Sequence, residues 1–321
     1  MALRLLFLQL SAAAALALFS LLLANGKSAA TVSPCTTHDP HNTLAEQFPN
    51  SATGVLNATL AIIPISLGTA RRLIPPQYGI LERAYRSLVP NFPEGMYPLM
   101  VQAAHDHDVQ LRAYGITIDD FSRVGFEFPF LDLAGDGYSS FRWAPAQLIS
   151  ASNPIALEGS RAYGTHVAPA KYEPVCDAYS RLANGNTYFK GVGVESSDVF
   201  ELEMAQLSHA ALNPYPLELY KNITNQPTFA NASSCDNMIR LFNTTMTAGT
   251  HAPVYVSGRI RARAFPFQET EKEWTNVYGV QVATPFIENN YLECRSMRGY
   301  SGTGGPGDSY VHEDINVNNE L

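Results

Sequence analysis

Apolar and polar residues alternate with a period of two through much of this chain, the repeat of a β-strand with one buried face. Residues 56–66 are apolar and β-branched and predict a strand. Residues 68–73 predict a short helix that stops at Pro75-Pro76, because proline cannot donate to the helical ladder. Residues 80–85 read as a strand or a short helix. Residues 97–104 predict a strand with 109–116 as its neighbour. Residues 124–133 set Phe126, Phe128 and Phe130 against Glu127. The Gly135-Asp136-Gly137 turn then predicts a hairpin into 138–143, and 144–159 a short helix and turn. In the second half, 188–194 and 199–204 predict paired strands, and 213–234, rich in proline and asparagine, a loop. Met238, Leu241, Phe242 and Met246 give 235–247 a helical spacing, while 254–265 and 278–286 predict further strands. Many strands and few helices imply an α+β, mostly β fold, a barrel or sandwich with short helices.

The ends read differently. After Arg4, residues 5–23 are an uncharged, largely apolar run, and small residues follow up to Ala30. That order predicts a secretory signal peptide over 1–26, cut after Gly26 or Ala30; an uncleaved anchor is the alternative. Either way the remainder is expected outside the cytosol, as a secreted protein with no membrane contact after cleavage. Residues 31–298 are expected to form a single domain and 299–321, rich in glycine, asparagine and acid, a disordered tail. Four sequons, at Asn57, Asn222, Asn231 and Asn243, predict glycans on surface loops. Cys35, Cys176, Cys235 and Cys294 predict two disulfides, with all three pairings open. The net charge of −8 argues against nucleic acid as a partner. The oligomeric state is left open, a homo-oligomer included.

Several constellations invite chemistry. His105-Asp106-His107-Asp108 places two imidazoles on one strand face and two carboxylates on the other. Such a pair can hold zinc or iron, but no third ligand follows, so a strand-end hydrogen-bonding cluster is the preferred reading, with no metal and no cofactor. Arg259, Arg261 and Arg263 share a face and either clamp a carboxylate substrate or form a ladder with acidic neighbours. Glu127 is an acid/base candidate if it points into the core and an ordinary exposed residue if the phenylalanine side is the core. The glycine-rich stretch at 302–307 lacks the lysine of a phosphate loop, and no nucleophile elbow occurs.

Three stretches occur in a telling order: LAIIPISLGTARRLIPPQY at 60–78, YPLMVQAAHDHDVQ at 97–110 and NPIALEGSRAYGTHVAPAKY at 153–172. Together they resemble the acetoacetate decarboxylase-like family, over a little more than a third of the chain. The resemblance implies a β-rich barrel with a buried pocket. It also implies decarboxylation of a β-keto acid through a Schiff base on a lysine of lowered pKa. Here Thr165, His166 or Val167 stands where that lysine belongs, and Lys171 comes a few residues later. The implied protein is a lyase, isomerase or cyclase acting on a β-keto acid or polyketide-type carbonyl compound. In it His166 and Tyr163 would be catalytic, Lys171 the runner-up nucleophile, and Arg161, His105, Glu127 and Arg261 would bind the substrate. The pattern is similar to secreted fungal proteins of secondary metabolism. A non-catalytic secreted protein that binds a small carbonyl or carboxylate ligand on the same fold is the second expectation.

Overall fold

The computed structural model describes residues 41–300. Its strands are β1 (Ala52–Ser66), β2 (Gly79–Ile80), β3 (Met96–Leu111), β4 (Ile116–Ile118), β5 (Phe121–Asp132), β6 (Phe141–Trp143), β7 (Ala146–Ser150) and β8 (His166–Glu173). They continue with β9 (Ser180–Arg181), β10 (Thr187–Gly193), β11 (Val199–Gln206), β12 (Thr228–Phe229), β13 (Cys235–Arg240), β14 (Val254–Arg263) and β15 (Lys272–Leu292). Four short helices decorate them: α1 (Leu67–Leu73), α2 (Glu82–Leu88), α3 (Pro154–Ala162) and α4 (Leu217–Asn225). The fold is therefore α+β and mostly β, as expected.

Local chemistry starts and stops the helices. Ser66 caps α1, its hydroxyl accepting from the Thr69 N–H, and the helix ends before Pro75-Pro76. Asn153 caps α3 by accepting from the Ala156 N–H, with Pro154 in the first turn, where its missing donor costs nothing.

The strands close into two rings that share a wall. The larger ring runs β3, β5, β7, β8, β10, β11, β14, β15, β1 and back to β3. The smaller runs β3, β5, β6, β12, β13, β15, β1 and back to β3. The long strands β1, β3, β5 and β15 form the shared wall, so both of their faces are buried. On β5, Val124 and Phe126 point into the larger ring. There Phe126 packs on Phe200, Phe267 and Trp274 at centroid distances of 4.9, 5.1 and 5.6 Å. Arg123 and Glu127 point the other way and line a cavity within the smaller ring.

Several expectations are corrected. Residues 97–104 and 109–116 are not two neighbours, because β3 runs unbroken through the His-Asp repeat. The predicted loop at 213–234 contains α4, which begins after Pro216, and β12. Residues 235–240 are strand, not helix. The paired strands β10 and β11 lie in the expected register. Asn57 and Asn222 are buried, in the shared wall and on the inner side of α4, and not on surface loops. Asn231 and Asn243 are exposed. Cys235 is bonded to Cys294. Cys176 is also disulfide-bonded, and Cys35 lies outside the described residues. The predicted signal peptide and all of the predicted tail except Gly299 and Tyr300 also lie outside. Tyr300 is buried, its hydroxyl donating to the Asn222 carbonyl. Among the described residues no helix is long and apolar enough to cross a membrane.

Candidate functional site: a charged cavity in the smaller ring

The cavity encloses about 250 Å³. Strand alternation dictates its lining. Even-numbered positions of β3 and odd-numbered positions of β5 face it, so Gln102 and Asp106 meet Arg123 and Glu127 across the ladder. Arg142 enters from β6, Asp236, Met238 and Arg240 from β13, and Glu288 from β15, where it is the register partner of Met238. Helix α3, Tyr163 and Tyr291 complete the lining beside Asp236 and Glu288.

Three guanidiniums and four carboxyls thus share one small space. Asp106 takes Arg123 in a bidentate pair, at 2.7 Å to Nε and 3.2 Å to Nη2. Burial alone lowers the basicity of Arg123, but the charge and hydrogen bonds of Asp106 outweigh it and hold the cation firmly protonated. Glu127 faces Arg142 at 3.0 Å and accepts from the Gln102 amide at 3.2 Å. Arg142 spends two further donors on the Thr228 hydroxyl. These two pairs are internally neutral.

The remaining groups are not. Arg240 is 2% exposed, and one Nη donates to the Gln102 side-chain oxygen. Its Nε and its other Nη have no protein acceptor. Burial, reinforced by the charges of Arg142 and Arg123, lowers its pKa to about 9. Asp236 and Glu288 hydrogen-bond to each other side chain to side chain. Burial raises the Asp236 pKa to about 6 against the pull of that hydrogen bond and of three arginines. Burial and the Asp236 charge raise Glu288 well above the usual carboxylate range. Two carboxyls this close do not both ionise, so the pair holds one proton near neutral pH.

Tyr163 stacks on Tyr291, with centroids 4.7 Å apart. Tyr291 sits in the left-handed region at φ 56°, unusual for an aromatic residue. This turn directs its N–H to the Tyr163 oxygen at 3.0 Å. Burial raises the Tyr163 pKa further, so the phenol stays protonated and its own hydrogen is available to donate.

The fold is similar to that of acetoacetate decarboxylase-like enzymes. One such enzyme, from Sphingomonas wittichii RW1, is 7% identical with a TM-score of 0.40, over 76% of this chain and 92% of its own. The enduracididine biosynthesis enzyme MppR, solved with the condensation product of pyruvate and imidazole 4-carboxaldehyde, is also 7% identical. Its TM-score is 0.41, over 83% of this chain and 100% of its own. No protein-family model matches the chain, and no curated protein sequence matches it.

The residues singled out in the sequence scatter. Tyr163 and Glu127 line the cavity. Three others are corrected. Lys171 is exposed on the outer face of β8, and His166 is exposed at the start of that strand, beside Ala168 and Phe265 of the larger ring and not in the charged cavity. Arg161 is exposed on α3 and paired with Glu158. The alternation that buries Ala170 and Tyr172 is what turns Lys171 outward. Arg261 pairs with Glu201 at 3.1 Å and Arg259 with Glu203 at 2.8 Å, a cross-strand ladder on the outer face. His105 and His107 face the larger ring, with His105 Nδ1 2.9 Å from the Ser122 hydroxyl, while Asp106 alone of the repeat's first three residues enters the cavity. Glu127 points inward, the first of its two alternatives, and the phenylalanine side of its strand is buried as well. Sequence reasoning missed Arg123, Arg142, Asp236, Arg240 and Glu288. Their only signal is a charge at alternate positions within otherwise apolar strands.

Proposed function

We propose that this chain is an enzyme performing acid–base chemistry on a small carbonyl compound, a β-keto acid or polyketide-type substrate, held in the smaller ring. The observation that carries this reading is the paired Asp236 and Glu288 side chains in a cavity lined by buried guanidiniums. One member is an anion and the other an acid at the same pH, the combination that enolisation requires. The Asp236 carboxylate removes a proton from the carbon next to the carbonyl. The Glu288 acid, with the Tyr163 hydroxyl, donates to the carbonyl oxygen and stabilises the enolate. Decarboxylation passes through the same enolate: the C–C electron pair moves toward the carbonyl oxygen, CO2 leaves, and the acid returns a proton to carbon. Lyase, isomerase and cyclase outcomes share this first intermediate. None of the described lysines lines the cavity, so an imine route is not part of the proposal.

A secretory location and a role in secondary metabolism belong to the same proposal; the Cys235–Cys294 disulfide is compatible with an oxidising compartment. The absence of a lysine among the cavity residues favours, as a second reading, a binding protein without turnover. The deciding experiment follows α-proton exchange and CO2 release in D2O by NMR across acetoacetate and longer β-keto acids. Exchange that drops about 10²–10⁴-fold in Glu288→Gln and Asp236→Asn is expected. Binding of keto acids without any exchange leaves only the second reading.

A further inference from the structure

The charged groups make only part of the cavity wall. Along β3, Gln102 and Asp106 face the lumen, and unbroken alternation would present Asp108 and Gln110 next. A bulge intervenes. The β1–β3 register shifts between Thr53 and Val55, and Asp108 adopts the left-handed region at φ 52°. Val109 and Leu111 line the cavity in its place. The Asp108 carboxylate instead accepts from the Asn42 N–H at 3.2 Å. Ile118, the register partner of Val109 on β4, and Phe121, at the start of β5, join the same stretch of wall.

The cavity therefore has two unlike portions. Glu127, Arg142 and Arg240 are 1%, 3% and 2% exposed and form the inner one. Leu111, Ile118 and Phe121 are half-buried, so solvent reaches them, and they form an apolar collar. The collar lies close to the carboxyl pair. Glu288 is paired with Ala52 of β1, and the next residue, Thr53, with Gln110 of β3. Two strand spacings, about 10 Å, thus separate the backbone that carries Glu288 from the backbone that carries Leu111. An aliphatic chain of a few carbons spans that distance.

We propose that the carbonyl compound bound in this cavity carries an aliphatic chain, and that Leu111, Ile118 and Phe121 seat this chain and determine specificity by its length. The three side chains offer no hydrogen-bond partner, so a hydroxylated chain would lose water there without replacement. An aliphatic chain covers apolar surface that is otherwise wet, which is worth about fourfold in affinity for each methylene buried. The bulge is the device that makes the collar. Without it β3 would aim a carboxylate and an amide at the place where the chain lies. This inference rests on the smaller ring being the site of the carbonyl chemistry. It adds that the tail and not the head selects the substrate, and that acetoacetate, which has no tail to seat, is a poor one.

The test measures binding of neutral 2-alkanones, from 2-butanone to 2-nonanone, to the full chain by ligand-observed NMR. Affinity should rise about fourfold per added methylene until the collar is filled. Ile118→Ser should cut the gain between the shortest and the longest ketone by at least about fourfold, the worth of one methylene. A readout that needs no variant uses 2-nonanone with a diazirine near its last carbon. Irradiated with the unaltered protein, it should label the tryptic peptide 113–123, which contains Ile118 and Phe121. Affinity independent of chain length, an unchanged gain in Ile118→Ser, labelling confined to other peptides, or no binding of any of these ketones each overturns the proposal. Turnover enters none of these readouts. Length-dependent binding without α-proton exchange removes the enzyme and leaves the tail site. Equal exchange rates on acetoacetate and 3-oxodecanoate keep the enzyme and remove the tail site.

Discussion

The two rings are built from the same wall and filled in opposite ways. From β5, Phe126 enters the larger ring and meets Phe200, Phe267 and Trp274 in close edge-on and tilted contacts. One residue along, Glu127 enters the smaller ring and meets Arg142 and Gln102. The larger lumen closes on itself: where Gly191 lies, an added Cβ would come within 2.8 Å of the Tyr172 ring. The smaller lumen keeps its volume and spends its wall on charge. A period-two backbone thus lets one strand serve a packed core and a charged cavity at once, and a one-residue slip of register would exchange the two.

The contrast can be broken most severely at Phe126. Phe126→Ala should cost about 3–5 kcal/mol in urea unfolding, while 2-alkanone binding in the other lumen stays unchanged. A loss below 1 kcal/mol, on the same scale, would mean that the larger ring is not the stabilising half.

A smaller effect separates the rings by pH. The native Asp236 holds its proton from the ordinary aspartate value of 3.8 up to about 6. Between those values the unfolded chain binds fewer protons than the native one, so stability should fall as pH rises. The slope is about 1.4 kcal/mol per unit, up to about 3 kcal/mol in all. Asp236→Asn should flatten that part of the curve; Phe126→Ala should lower the whole curve without changing its slope. Parallel curves for wild type and Asp236→Asn would show that the pair does not trap a proton.

The smallest effects are expected outside both rings. Arg261→Ala removes an exposed cross-strand pair and should change stability by no more than about 1 kcal/mol. Lys171→Ala should leave α-proton exchange unaltered, and borohydride added with a keto acid should leave no adduct on Lys171.

The strands of the larger ring were legible because their pattern is the ordinary one, apolar inward and polar outward, as in β10, β11 and β14. The smaller ring inverts that pattern. In β13 the lumen-facing positions are Asp236, Met238 and Arg240, so the strand carries charge where a core-facing strand carries aliphatics, and the spacing of Met238, Leu241, Phe242 and Met246 mimics a helix. The His-Asp repeat misled in a related way. A polar run inside a strand buried on both faces reads as an interruption, though β3 passes straight through it. The site itself was mostly illegible because it is made of pairs distant in sequence. Gln102 and Arg240 are 138 residues apart, and Asp236 meets Glu288 only through the β13–β15 register. Glu127 could be suspected because it is a lone carboxylate among phenylalanines, the one local sign such a cavity leaves.

The Cys235–Cys294 bond sits immediately before Asp236 and just beyond the end of the strand that bears Glu288. It fastens the seam at which the smaller ring closes, across 59 residues of chain. The two buried carboxyls are therefore neighbours of a covalent link as well as members of paired strands. Reduction would remove this clasp from beside the Asp236–Glu288 pair and leave that junction to the strand register alone.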